Sequence, residues 1–167
     1  IRKILRSNLV VMRVMVESGP RAFQGVKWRG VGLTSFDGKN WYNDNTEQSL
    51  VSPASFQRYV IPRPEGWESR RPRPVRYRVL LSPVSTDVLF AAAVPREVMG
   101  RIRAITQDQT ESLHYPGHDY SPFSYEVLSD TGQPALEELR GASGAYPDEI
   151  RRVYLALPDL DPRVADL

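Results

Sequence analysis

The 167-residue chain reads as mainly β, an antiparallel β-sandwich or partly open barrel of about seven strands with a short helical C-terminal tail. Three observations lead there. Fourteen prolines cut the chain into short segments, which favours strands and loops over long helices. Short apolar, β-branched runs recur between clusters of Gly, Pro, Asn, Asp and Ser. The stretch Val26–Tyr42 (VKWRGVGLTSFDGKNWY) has the form of a β-hairpin.

In that hairpin Asp37 and Gly38 supply the positive φ of a tight reversal. With the turn centred there, Leu33 faces Tyr42 and Thr34 faces Trp41. Side chains alternate between faces, so Val26, Trp28, Gly30, Gly32 and Trp41 share one face, expected to be buried. The two glycines leave a bare patch that an indole ring can fill. Lys27 and Arg29 lie on the opposite face.

Upstream, Asn8–Val16 is an apolar strand interrupted only by Arg13, and residues 17–20 (ESGP) close it. Downstream, residues 43–55 are polar and read as a loop, and Phe56–Pro62 as a short strand. Residues 63–74 (RPEGWESRRPRP) lack any hydrophobic period and form a connection with polyproline-II character. Strands are expected over Val75–Ser82, Asp87–Val94 and Gly100–Thr106, with turns at 84–86 and 95–97. Residues 108–119 read as irregular and Phe123–Ser129 as a further strand. Pro134–Leu139 and Tyr146–Leu157 then take helical spacing, with Pro147, Asp148 and Glu149 suited to a helix start.

The length fits one domain that buries roughly 70% of its unfolded surface. No apolar run approaches the ~18 residues a membrane span needs. The chain begins at Ile1 rather than Met and reads as an excised piece of something longer. Without cysteine there are no disulfides, thiolate metal sites or Cys nucleophile in these residues. A net charge of +2 conceals +10 over residues 1–105 and −8 over 106–167. Two halves that neutralise each other explain this split better than a basic binding face does.

His114 and His118 are the only histidines, and Asp119 adjoins them. Pro116 and Gly117 between them argue against helical ligand geometry, so a loop with solvated histidines is expected and no metal site. Arg58, Arg63, Arg70, Arg71, Arg73, Arg76 and Arg78 lie near Tyr59, Trp67 and Tyr77, a mixture that can track phosphates and stack on bases. Several of them alternate with apolar residues, as the wet face of a sheet does, which makes nucleic acid an unlikely partner. No phosphate loop, nucleophile elbow or triad spacing appears, so neither a cofactor nor catalysis is expected. Trp28, Gly30, Gly32, Asp37, Gly38 and Trp41 are expected to be structural. Trp67, Arg70, Arg71 and Arg73 form a possible binding surface.

Four features together resemble a known family: the opening strand VVMRVMV, Trp28-Arg29-Gly30, the FDGxxW segment at Phe36–Trp41, and a closing YLALP at Tyr154–Pro158 with Asp161–Arg163. They are similar to the extracytoplasmic β-rich region that precedes the catalytic core in bacterial membrane-anchored transglutaminase-like proteins of the TgpA type. The resemblance implies a non-catalytic accessory domain over residues 1–145 and a helical segment over 146–167 leading into a papain-like core with a Cys-His-Asp triad. It implies a place outside the cytoplasmic membrane, with flanking segments as the anchor and the downstream core of the same chain as partner. No triad residue carries over. The alternative reading is a binding module for cell-wall glycan or an envelope protein, through the Arg/aromatic surface.

Overall fold

In the computed structural model the described residues are 9–19, 26–44, 46–63 and 72–155. Six strands build the main sheet: β1 (Met12–Ser18), β6 (Pro53–Ser55), β7 (Arg58–Val60), β8 (Pro74–Leu81), β10 (Val94–Met99) and β13 (Phe123–Asp130). Their order is β1-β8-β13-β10-β7-β6, and every pairing is antiparallel. A three-stranded sheet runs β12 (Leu113–His114), β11 (Ile105–Asp108), β5 (Gln48–Val51). Two small ladders complete the β structure: β2 (Trp28–Arg29) with β9 (Ala91–Ala92), and β3 (Ser35–Phe36) with β4 (Trp41–Tyr42). The sheets do not close into a barrel.

Alternation along β8 decides the faces. Val75, Tyr77, Val79 and Leu81 are buried, while Arg78 and Leu80 are exposed. Beside them Tyr125 and Val127 of β13 and Val98 of β10 point the same way, and with Ala91, Ala92, Ile105 and Leu113 from the opposing segments they form one core. Three tyrosines of the main sheet fasten the layer above. Tyr59 donates to Ile102 O at 3.0 Å, Tyr125 donates to Phe90 O at 2.9 Å, and the Tyr77 hydroxyl accepts from Ala92 N–H at 2.7 Å. A buried aromatic whose polar tip finds a partner loses nothing by burial. Burial pushes the hydroxyl of Tyr77 up to about 12 and that of Tyr125 higher still.

The outer face of the sheet carries ion pairs. Arg58 grips Glu97 through two nitrogens at 2.6 and 3.0 Å, and Arg78 meets Glu126 at 2.5 Å and Glu17 at 3.1 Å. The Arg58 hydrogen bonds hold the Glu97 carboxyl below its usual value, against a smaller opposing effect of burial.

Several elements differ from expectation, each for a local reason. The hairpin around Asp37 and Gly38 exists, yet it pairs Ser35 with Tyr42 and Phe36 with Trp41, two residues from the expected register. Asp37 Oδ1 accepts from the N–H groups of Lys39 and Asn40 at 2.8 and 2.7 Å, and Gly38 takes φ 91, so a four-residue loop replaces the two-residue turn. Trp28 is therefore not in that ladder; it pairs with Ala92 and sets its ring edge-on to Tyr77 at 5.4 Å. Trp41 is 59% exposed, which corrects the buried face expected of it. Its ring lies against Phe36, centroids 5.0 Å apart. Trp41→Ala is accordingly expected to cost less than about 1 kcal/mol in a denaturant titration.

Within the expected loop 43–55 lie two strands, β5 and β6. Only Val51 of β5 is buried, so the segment has no apolar period to read, and it pairs through polar contacts such as Thr106 Oγ1 to Gln48 Oε1 at 2.6 Å. The apolar run Asp87–Val94 is not one strand. Val88 makes a single bridge, Ala91–Ala92 pair with β2, and Ala93 at φ 44 turns the chain into β10. That strand runs through Pro95–Glu97, where a turn was expected, because Pro95 sits at a register shift where its missing N–H is tolerated. Residues 100–104 are irregular, and β11 starts at Ile105. The helices α1 (Leu136–Arg140) and α2 (Asp148–Tyr154) are shorter than their spacing predicts, and Pro147 stands at the cap of α2.

Candidate functional site

The turn joining β11 to β12 gathers several buried polar groups, among them Thr110, Ser112 and His114. Asp108 ends β11, and its Oδ1 accepts from Thr110 N–H at 2.8 Å, Thr110 Oγ1 at 2.7 Å and Ser112 N–H at 2.9 Å. This is the local loop an aspartate side chain builds by imitating a main-chain acceptor. It holds Glu111 at φ 62, where the side chain meets Arg29 Nη1 at 2.7 Å. Asp108 Oδ2 lies 3.2 Å from His114 Nε2, and His114 Nδ1 lies 3.2 Å from Asp87 Oδ1. Burial raises the Asp108 carboxyl, but the hydrogen bonds from Thr110, Ser112 and His114 together outweigh it and leave the group below its usual value.

Three other segments converge on this turn. Gly32 N–H donates to Ser112 Oγ at 3.0 Å, and Gly32 O accepts from Asn43 Nδ2 at 2.9 Å. Asn43 Oδ1 in turn accepts from Thr34 N–H at 3.0 Å. Gly32 has no room for a side chain, since a Cβ would stand 2.7 Å from Thr110 Cβ. From α2, Tyr154 donates its hydroxyl to Gln109 O at 2.8 Å.

This constellation holds segments together and has no nucleophile–base pair. Both nitrogens of His114 face carboxylates, so neither is placed to take a proton from a hydroxyl. Ser112 Oγ contacts Thr110 Oγ1 at 2.7 Å and Gly32 N–H, not the imidazole. Among the described residues no His, Asp and Glu are grouped to hold a metal. The two histidines occupy different environments, and neither is the solvated loop residue expected from sequence. His114 is 8% exposed in the polar knot. His118 packs its ring on Phe123 at 4.4 Å and on Tyr115 at 5.3 Å, its Nδ1 accepts from Tyr120 N–H, and its Nε2 is buried without a hydrogen bond.

The other candidates are dispersed. Gly30 faces Phe90, whose ring would lie 3.1 Å from a Cβ there, so Phe90 and Thr110, not indoles, fill the gap over the two glycines. Trp67, Arg70 and Arg71 lie outside the described residues. Arg73 has its main chain fixed, its N–H by Asp130 Oδ1 at 2.8 Å and its carbonyl by Thr131. Arg58 and Arg78, read as the wet face of a sheet, do lie there, engaged in ion pairs. Sequence reasoning passed over Asp87, Asp108, Thr110 and Ser112 altogether. The D-x-T-x-S spacing of 108–112, a short-polar cluster after a strand, is the signal that could have marked them.

The sequence matches the family model of the TgpA N-terminal domain over residues 1–136. The chain belongs to that family. The TgpA N-terminal domain is a unit separate from the transglutaminase-like catalytic core. Its fold is similar to two crystal structures of the periplasmic domain of TgpA from Pseudomonas aeruginosa, one of them bound to ethylmercury. The TM-scores are 0.52 and 0.50, each at 22% identity. Each alignment covers 74% of this chain and 38% of the other, so the chain spans well under half the length of those structures. No curated protein sequence matches it significantly. No helix among the described residues is long and apolar enough to cross a membrane.

Proposed function

We propose that this chain is a non-catalytic accessory domain, outside the cytoplasmic membrane, of a membrane-anchored transglutaminase-like protein. Its β-rich body, through about residue 145, holds the catalytic core of the longer protein in place and limits which protein chains reach it. The observation that carries this reading is the hold on α2. That helix leads toward the C-terminus, and its Tyr154 is tied to the same turn that fixes the Gly32 segment and Arg29. A domain joined through α2 would thus be oriented by the sheet assembly and not by a free linker. Membership of the TgpA N-terminal domain family supports the placement. The test is to assay the 167-residue chain beside the longer protein for amine incorporation into a glutamine-containing substrate. The chain alone is expected to give background only, and the longer protein lacking residues 9–145 to lose substrate discrimination. Turnover by the isolated chain would overturn the assignment.

A second reading, a binding surface for an envelope protein or cell-wall glycan, is favoured by one feature. Phe56 is 90% exposed at the tip between β6 and β7, flanked by clefts of about 630 and 730 Å³ that share Arg101. An apolar knob held beside clefts that share an arginine is an unusual use of surface. Binding to an envelope extract or to peptidoglycan fragments that survives Phe56→Ala unchanged would remove this reading.

A further inference from the structure

Strand β1 is one margin of the six-stranded sheet, and among the described residues no strand pairs with its other side. Which main-chain groups that side presents follows from the ladder with β8. Ser82 N–H donates to Val11 O at 2.9 Å, and the register continues with Arg13 opposite Leu80 and Met15 opposite Arg78. In an antiparallel pair the inward-bonding residues alternate with outward-bonding ones. The N–H and C=O groups of Met12, Val14 and Val16 therefore point away from the sheet. The side chains around them are apolar and open: Val10, Val11 and Met15 are each about half exposed. From Leu9 to Val16 the one charge is Arg13, and there is no proline. Sheets of soluble domains normally guard such an edge; here the one irregularity is a register shift between Val16 and Ser18, and the stretch from Met12 to Val16 is regular.

We propose that a second copy of this chain pairs with β1, antiparallel, about a two-fold axis through Met15. The strand is complementary to itself in that register and in no neighbouring one. Val14 meets the partner's Val16 in the outward hydrogen-bonded pairs, and Met15 meets the partner's Met15. Arg13 falls opposite the partner's Glu17, once on each side of the axis. Arg13 and Met15 project from the outer face, opposite Leu80 and Arg78, and Glu17, the residue skipped at a register shift between Val16 and Ser18, reaches Arg78 on that same face at 3.1 Å. Sliding the register by two residues sets Arg13 against Met15, or Met15 against Glu17, and both ion pairs are lost. Sliding further in the first direction puts Arg13 against Arg13, which repels. The result is an isologous contact that continues the sheet across two chains.

The absence of cysteine makes the test direct. Met15 faces its own copy at a non-hydrogen-bonded position, where Cα atoms stand about 4.5 Å apart, within the span of a disulfide. Met15→Cys, the only thiol in the chain, is expected to give covalent dimer under mild oxidation. Leu80→Cys, 45% exposed on the same face of the neighbouring strand, is expected to remain monomeric. Adding Arg13→Glu to Met15→Cys turns two attractions into repulsions and should cut the rate of cross-linking about tenfold, with an unchanged circular dichroism spectrum. Equal cross-linking at positions 15 and 80, none at 15, or indifference to Arg13→Glu would each overturn the proposal. A wild-type chain that sediments as a monomer up to millimolar concentration would do so too.

Discussion

Asp108→Ala is expected to lower the unfolding free energy by about 2–5 kcal/mol, because it leaves buried main-chain donors without their acceptor. The carboxylate accepts from two main-chain N–H groups and the Thr110 hydroxyl, and it faces His114. Truncation takes the acceptor from both N–H groups in a place that water does not reach freely, and each buried unpaired group costs about 1–3 kcal/mol. Urea unfolding of the variant is the measurement; a loss under about 1 kcal/mol would mean that solvent satisfies the turn. The pH dependence has a definite sign. The folded-state value of Asp108 lies below its ordinary 3.8, so its contribution is fully present above that pH and is lost as the pH falls through the folded-state value. Glu97, lowered from 4.5 by Arg58, acts in the same direction. Acid unfolding of the wild type should thus be steep below about pH 4, and flatter in Asp108→Ala.

Tyr77→Ala should be comparably severe, about 3–5 kcal/mol as for other large aromatic truncations. The side chain is fully buried at the centre of β8 and carries Trp28 on its ring. Its hydroxyl accepts from Ala92 N–H and is 2.9 Å from Ser129 Oγ, which joins the two layers of the fold. Tyr77→Phe separates the two contributions. The ring stays and the hydroxyl goes, so the loss should fall to about 1–3 kcal/mol. If Phe and Ala variants unfold at the same denaturant concentration, the ring contributes nothing and the packing account fails. The raised hydroxyl value also predicts an alkaline limit. Stability from Tyr77 is intact below its ordinary 10.0 and declines as the pH rises toward about 12.

Elements with strong alternation could be read directly from residues. Val75–Ser82 declares its two faces through VRYRVLL, and Phe123–Ser129 does the same, so the two central strands were legible to within a residue. Legibility failed where pairing is decided by partners far away. Gln48–Val51 buries one side chain and becomes a strand only because β11 lies beside it. The run Asp87–Val94 is apolar because Val88, Leu89, Ala91 and Ala92 are buried, and apolarity alone does not distinguish a buried irregular segment from a strand. Trp41 misled for a related reason. A large indole usually marks a core, but the offset register of its hairpin leaves the ring against Phe36 and water. The polar knot escaped notice because Asp108, Thr110 and Ser112 look like any surface turn until Gly32, Asp87 and Tyr154 are folded against them.

The strand order has a consequence for how the molecule comes into being. β1 at residues 12–18 finds its neighbour only at 74–81, and that strand in turn lies beside 123–130. Ribosomal synthesis must therefore extend through residue 130 before these three neighbouring strands can zip together. Closing such wide loops is entropically slow, so acquisition of the native topology should lag well behind local hairpins such as 35–42. During that interval β1 waits without its mate, its apolar residues open to solvent.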